Sequence, residues 1–149
     1  MKNQIFLWLC FALILCSSCG DDLSLASKNE VLSGRWQGTL TANNWTGHFD
    51  FIMDLEQEGN SIDGTSKISF QTKSAGEAQM ILSGTLRGST FSFEELSILQ
   101  HTGEQFSGVW CIKSGLLEYN EVGGTHVLSG SWTDPSQCRN SGEINLTLN

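Results

Sequence analysis

The chain has a single proline and a single tyrosine among 149 residues, and its eight Lys and Arg residues are outnumbered by sixteen Asp and Glu. Each scarcity excludes something. One proline against 16 glycines removes collagen-like and proline-rich extended architectures, and 39% hydrophobic residues is enough for a packed core. The net charge of −8 excludes nucleic acid as a partner, because displacing phosphate counterions needs clustered Lys and Arg. The apolar run Ile5 to Leu15 has eleven residues, too few for a membrane-spanning helix, which needs about 20. His48, His101 and His126 lie far apart, and none sits in a metal or nucleophile motif. With no phosphate loop or nucleophile elbow either, no enzyme, cofactor or metal is expected.

What is present begins with a targeting signal. Lys2 supplies a positive start, the run Ile5 to Leu15 follows, and Cys16-Ser17-Ser18-Cys19 closes the segment. The small residues before Cys19 resemble the lipobox of bacterial lipoproteins, which implies that residues 1–18 are a cleaved signal peptide and that Cys19 is the lipid attachment site. Cys16 stands where that pattern usually has an aliphatic residue, so ordinary signal-peptidase cleavage is the alternative. Gly20-Asp21-Asp22 resembles the acidic tract following the acylated cysteine in Bacteroidetes lipoproteins, which implies outer-membrane attachment in the bacterial cell envelope with export toward the surface. Residues 19–31 are polar and aperiodic and read as a lipidated N-terminus with a flexible tether.

Residues 32–149 form the expected domain. The phrase apolar-Ser-Gly-x-apolar recurs at Leu32 to Trp36, Leu82 to Leu86, Phe106 to Trp110 and Leu128 to Trp132. Alternate side chains of a strand share a face, so each phrase puts a glycine on the apolar face, where a sheet that must close needs bends. Phe49, Phe51, Met53 and Leu55 alternate with mostly polar residues, as on a half-buried strand. Phe91 and Phe93 differ in parity from Leu96 and Ile98, which predicts a bulge near Glu94 and Glu95. Strands at Phe106 to Tyr119, Thr125 to Thr133 and Gly142 to Leu148 complete a count of eight. The expected fold is all-β, an eight-stranded antiparallel up-and-down β-barrel.

Cys111 and Cys138, in a chain destined for an oxidising compartment, are expected to form a disulfide, Cys111 pointing out of the barrel toward the loop before the last strand. Acid pairs such as Glu94-Glu95 face opposite ways on a strand and read as solvated surface. Trp36, Trp110 and Trp132 either line a cavity for a small apolar ligand or fill the core. Trp45, in the first connecting loop, either gates the barrel or anchors a protein contact, or else folds back over the barrel end.

Gly34-Arg35-Trp36 on a first strand, followed by seven more, resembles the opening of the lipocalin and avidin barrels, the calycins, and the phrase order resembles small lipocalin-like lipoproteins of Bacteroidetes. The resemblance implies a membrane-anchored barrel binding a small apolar ligand. The biotin-contacting pattern of avidins is not matched, since Ser66 stands where a tyrosine is expected, and residues 142–149 lack the basic residue that lipocalins pack across the first-strand Trp. An interaction or inhibitor module that meets an envelope protein through its loops, around a filled core, is the alternative.

Overall fold

The computed structural model describes residues 30–71, 76–103, 110–134 and 138–149. The signal segment 1–18, Cys19 and most of the tether lie outside the described residues, as do Phe106, Ser107 and Gly108 of the third repeated phrase.

Eight strands follow in order: β1 (Gly34–Thr41), β2 (His48–Glu58), β3 (Ser61–Phe70), β4 (Gly76–Arg87), β5 (Thr90–Gly103), β6 (Ser114–Val122), β7 (Thr125–Asp134) and β8 (Asn140–Leu148). Each pairs antiparallel with the next. β1 also pairs with β8, Trp36 opposite Leu148 and Leu40 opposite Ile144, so the sheet closes into an up-and-down barrel. The expected all-β barrel is the observed one.

Strand parity explains the core. In β2, Phe49, Phe51, Met53, Leu55 and Gln57 are buried while residues of the other parity are mostly exposed. Leu32, Trp36, Leu40, Ile62, Ile68, Met80, Leu82, Phe91, Leu117, Leu128, Ile144 and Leu146 join them inside. Each large side chain buried this way contributes about 1.5–3 kcal/mol relative to an exposed one.

The inward glycines account for closure. At Gly64, Gly84 and Gly130 an added Cβ would collide with a carbonyl of the neighbouring strand, contributed by Asp54, Ser92 and Leu116 respectively. The strands coil so sharply here that no inward side chain fits, the role glycine serves at barrel corners.

The bulge expected near Glu94 and Glu95 is present, and one expectation about strands needs correction. The register in β5 slips past Leu96, directly after Glu95, and again past Leu99, so Phe91, Phe93 and Glu95 face inward before the slip and Ile98 after it. The strand expected from Phe106 to Tyr119 is not continuous among the described residues: 110–113 are not strand, and β6 begins at Ser114. Residues 110–113 instead pass over one end of the barrel and turn Trp110, Cys111 and Lys113 into the interior.

The two ends differ. The lower end has two-residue turns, Gly59-Asn60, Gly88-Ser89 and Gly123-Gly124, whose glycines hold φ between 60° and 80°. Residues 30–33 arrive at this end, where the Leu32 amide donates to Gln57 Oε1 at 2.9 Å and the Gln57 amide to Ser33 Oγ at 2.9 Å. At the upper end the connections are longer, spanning residues 42–47, 71–75, 104–113 and 135–139.

Candidate functional site

Trp36, Trp45, Trp110 and Trp132 are not brought together around one cavity. Trp36 sits near the lower end, where its Nε1–H donates to the Leu32 carbonyl at 2.8 Å and its ring meets Tyr119 edge-on. Trp132 lies toward the upper end, its Nε1–H donating to the Thr41 carbonyl at 2.8 Å. Trp36, Trp110 and Trp132 are all buried. Trp110 Nε1–H donates to the Gly103 carbonyl at 3.4 Å, so all three buried indole donors are held by backbone. The surface hollows have outward-facing walls, such as one of about 420 Å³ over Gln37, Asp50, Ile52 and Thr147. Trp132 borders a hollow of about 340 Å³ on the outer wall with Asn43, Leu116 and Ser131.

Trp45 is different, at 45% exposure. It belongs to the β1–β2 loop at the upper end. Its ring leans on Phe49, with centroids 6.2 Å apart, and on Phe70 at 6.1 Å, and Phe70 in turn meets Trp110 at 6.1 Å. Gly47 permits this placement, since at its φ of 138° it lies beside the indole Nε1 where a Cβ would crowd the ring. The loop is fastened to the start of β8: the Asn43 amide donates to the Ser141 carbonyl at 2.8 Å, Asn43 Nδ2 to Ser141 Oγ at 2.9 Å, and Asn140 Nδ2 to Asn44 Oδ1 at 2.6 Å. Trp45 is therefore both folded back at its base and offered to solvent at its edge, a half-exposed aromatic on a braced loop.

Beneath this end is a polar set absent from the sequence expectations. Glu95 and Lys113 are fully buried, with Lys113 Nζ 2.8 Å from Glu95 Oε2. Ser66 Oγ donates to Glu95 Oε1 at 2.5 Å, the Lys113 amide donates to Glu95 Oε2 at 2.9 Å, and Lys113 Nζ also donates to the Cys111 carbonyl at 3.0 Å. The Phe51 ring lies 5.7 Å from the ammonium. Of the adjacent acids Glu94 and Glu95, the first is exposed as expected and the second is not. A buried carboxylate persists only with such partners, and here their effect is to latch the crossing segment 110–113 onto β5 and β3.

Cys111 and Cys138 form the expected disulfide, reaching from the crossing segment to the loop before β8. Cys111 does not point into solvent: it is fully buried, because residues 110–113 turn inward rather than continuing a strand. Asp134, the last residue of β7, is buried beside both sulfurs, and its Oδ2 accepts the Cys138 amide at 3.1 Å. Sequence spacing gave no hint of this, since the signal is Asp-x-x-x-Cys plus a cysteine 23 residues earlier that only the fold brings near.

His48 opens β2 and meets Gln71 Nε2 at 2.6 Å, while His126, near the start of β7, stacks on Tyr119 and meets its hydroxyl at 2.7 Å. Neither lies in a group of metal-ligating residues among those described. No family model, curated protein or solved structure matches the chain.

Proposed function

We propose that the chain is an envelope lipoprotein, acylated on Cys19 and tethered by residues 19–31, whose lipocalin-like barrel over residues 32–149 is a filled scaffold presenting its upper loops to a protein partner. The observation that carries this reading is the separation of the ends. Residues 30–33 join the barrel at the end of tight glycine turns, and the half-exposed Trp45 stands at the opposite end on a loop fastened to β8. An anchor below leaves the upper end facing away from the membrane. Exposed aromatics on rigid supports supply a large share of the energy in protein interfaces.

A small apolar ligand inside the barrel is the weaker reading. The interior is occupied by its own side chains, and the Trp36 and Trp132 donors are held by carbonyls. A non-catalytic role is supported by the Ser66, Glu95 and Lys113 set, which is sealed from solvent and mutually bonded.

The test uses the full-length lipoprotein, crosslinked in the native envelope, as wild type, as Trp45→Ala and as Leu116→Ser, a change at an exposed residue of the outer wall. A partner crosslinked by wild type and Leu116→Ser but lost in Trp45→Ala, with unchanged circular dichroism, is the expected result. Equal crosslinking by all three, or release of a discrete small molecule on denaturation in native mass spectrometry, would defeat the proposal; the second would favour a carrier.

A further inference from the structure

The disulfide and Asp134 form a second arrangement of functional groups. Cys111 lies on the crossing segment, Asp134 at the end of β7 and Cys138 in the loop that follows; the two Sγ atoms and a carboxylate oxygen all lie within 4.8 Å of one another. Cys111 and Asp134 are fully buried, and Cys138 is half-buried. The Cys138 amide donates to Asp134 Oδ2 at 3.1 Å, which holds the carboxylate against the disulfide.

We propose that the dithiol form of this protein is a metal site in which Cys111 Sγ, Cys138 Sγ and an Asp134 carboxylate oxygen bind one zinc-class divalent cation, and that forming the disulfide removes the site. The geometry fits. Tetrahedral zinc takes sulfur at about 2.3 Å and oxygen at about 2.0–2.2 Å, so its ligands stand roughly 3.5–4 Å apart, within the span of these three atoms once the sulfurs part. The Cα atoms of the two cysteines are 5.6 Å apart, so the sulfurs can part by side-chain rotation.

The chemistry fits as well. Two thiolates and a carboxylate are a soft, anionic donor set that selects zinc over magnesium or calcium. Two ionised thiols beside a buried carboxylate would repel one another, and a divalent cation removes that repulsion. Three protein ligands leave a fourth position for water on the half-buried Cys138 side.

The redox step balances with a dithiol reductant. The reductant gives two electrons and two protons to the Cys111–Cys138 bond and becomes a disulfide itself. Attack begins at Cys138 Sγ, the more accessible sulfur. The cation then displaces both thiol protons to solvent as two metal–sulfur bonds form. A disulfide oxidant reverses the sequence: it takes two electrons from the two thiolates and two protons from solvent to become a dithiol, the Cys111–Cys138 bond re-forms and the cation is released.

The experiment titrates the full-length protein with Zn²⁺ alone, against a chromophoric chelator, after anaerobic reduction and removal of the reductant. The dithiol form should take up about one equivalent and the disulfide form none, and Co²⁺ in place of Zn²⁺ should give a thiolate charge-transfer band. Asp134→Asn, checked for folding in the disulfide form by near-ultraviolet circular dichroism, should weaken binding about tenfold or more. Cys138→Ser, compared with the wild-type dithiol form because both lack the disulfide, should abolish the charge-transfer band. A wild-type dithiol form that takes up no zinc overturns the proposal, and so does Asp134→Asn binding as tightly as wild type or Cys138→Ser retaining the band.

Discussion

Removing Glu95 alone should damage the protein more than removing it together with its partner Lys113. Glu95 accepts from Ser66 Oγ, from the Lys113 amide and from Lys113 Nζ, whereas Lys113 Nζ has Glu95 and the Cys111 carbonyl. Lys113→Met leaves the carboxylate buried but still held by two donors, because the backbone amide of residue 113 remains. Its cost should be about 3 kcal/mol, the lower end of the range for breaking a buried pair. Glu95→Leu removes the acceptor of three buried donors and strands the ammonium, so its cost should be about 5 kcal/mol. Typical domain stabilities are about 5–15 kcal/mol, so this variant is close to unfolding. The double variant Glu95→Leu/Lys113→Met no longer buries a charge and should be more stable than Glu95→Leu alone, which requires a coupling energy above about 3 kcal/mol, the cost of Lys113→Met by itself. Urea unfolding of the four proteins, followed by tryptophan fluorescence, measures all of this. Single variants within about 0.5 kcal/mol of wild type, or strictly additive losses, would refute the latch reading of this pair.

Three further outcomes follow from the same coordinates. Glu118 lies below the ordinary glutamate range because the Thr90 hydroxyl donates to it at 2.6 Å and the Ser89 hydroxyl at 2.9 Å. A depressed folded-state value adds stability that is present above the ordinary glutamate value and is lost as pH falls through the depressed one; carboxyl NMR should show the Glu118 titration moving upward in Thr90→Val, and an unmoved titration rejects the cause given. Replacing both cysteines, as Cys111→Ala/Cys138→Ala, opens a closed interval of 27 residues and should lower unfolding free energy by roughly 3–4 kcal/mol, whereas a loss below about 1 kcal/mol would show that other contacts already hold the crossing segment. Gly130→Ala drives a Cβ into the Leu116 carbonyl and Leu117 Cα of β6, so the strands must part at a cost of about 1–3 kcal/mol; a melting temperature equal to wild type would mean that the sheet relaxes freely there.

The barrel was legible in the sequence because its rules are local. Phe49, Phe51, Met53 and Leu55 declare a buried face by alternation alone, and the glycines on apolar faces mark where strands bend. The disulfide was legible because only two cysteines, Cys111 and Cys138, lie in the expected domain and have few choices of partner. The burial of Glu95 was hidden for the opposite reason. An acid beside another acid on a strand reads as surface, and only Lys113, 18 residues away, and Ser66, 29 residues away on the other side, change its environment. Lys113 was concealed by the strand expected from Phe106 onward, since a continuous strand offers no reason for a lysine to turn inward. The same error placed Cys111 outside. The aromatic row Trp45, Phe70 and Trp110 was also beyond reach, because three separate segments meet at the upper end only after the barrel closes.

The closures at the two ends bear on what the barrel is for. A carrier needs a way in, and the structure fastens both ends. Below, Leu32 and Trp36 are tied by the Trp36 indole and by Gln57, which also donates from Nε2 to the Gly59 carbonyl at 2.7 Å. Above, residues 110–113 are held by the Glu95–Lys113 pair, by the bond to Cys138 and by Trp110 against Phe70. Opening the upper end for a ligand would break the ion pair and expose its charges, a change of several kcal/mol before any ligand contact is made. The β1–β2 loop, fastened instead to the start of β8, is not held by that ion pair. Two-residue glycine turns below leave little side chain to vary, while the connections above are longer. On the proposed reading, a barrel closed at both ends makes its contact at the rim, and Trp45 is where that contact should be sought.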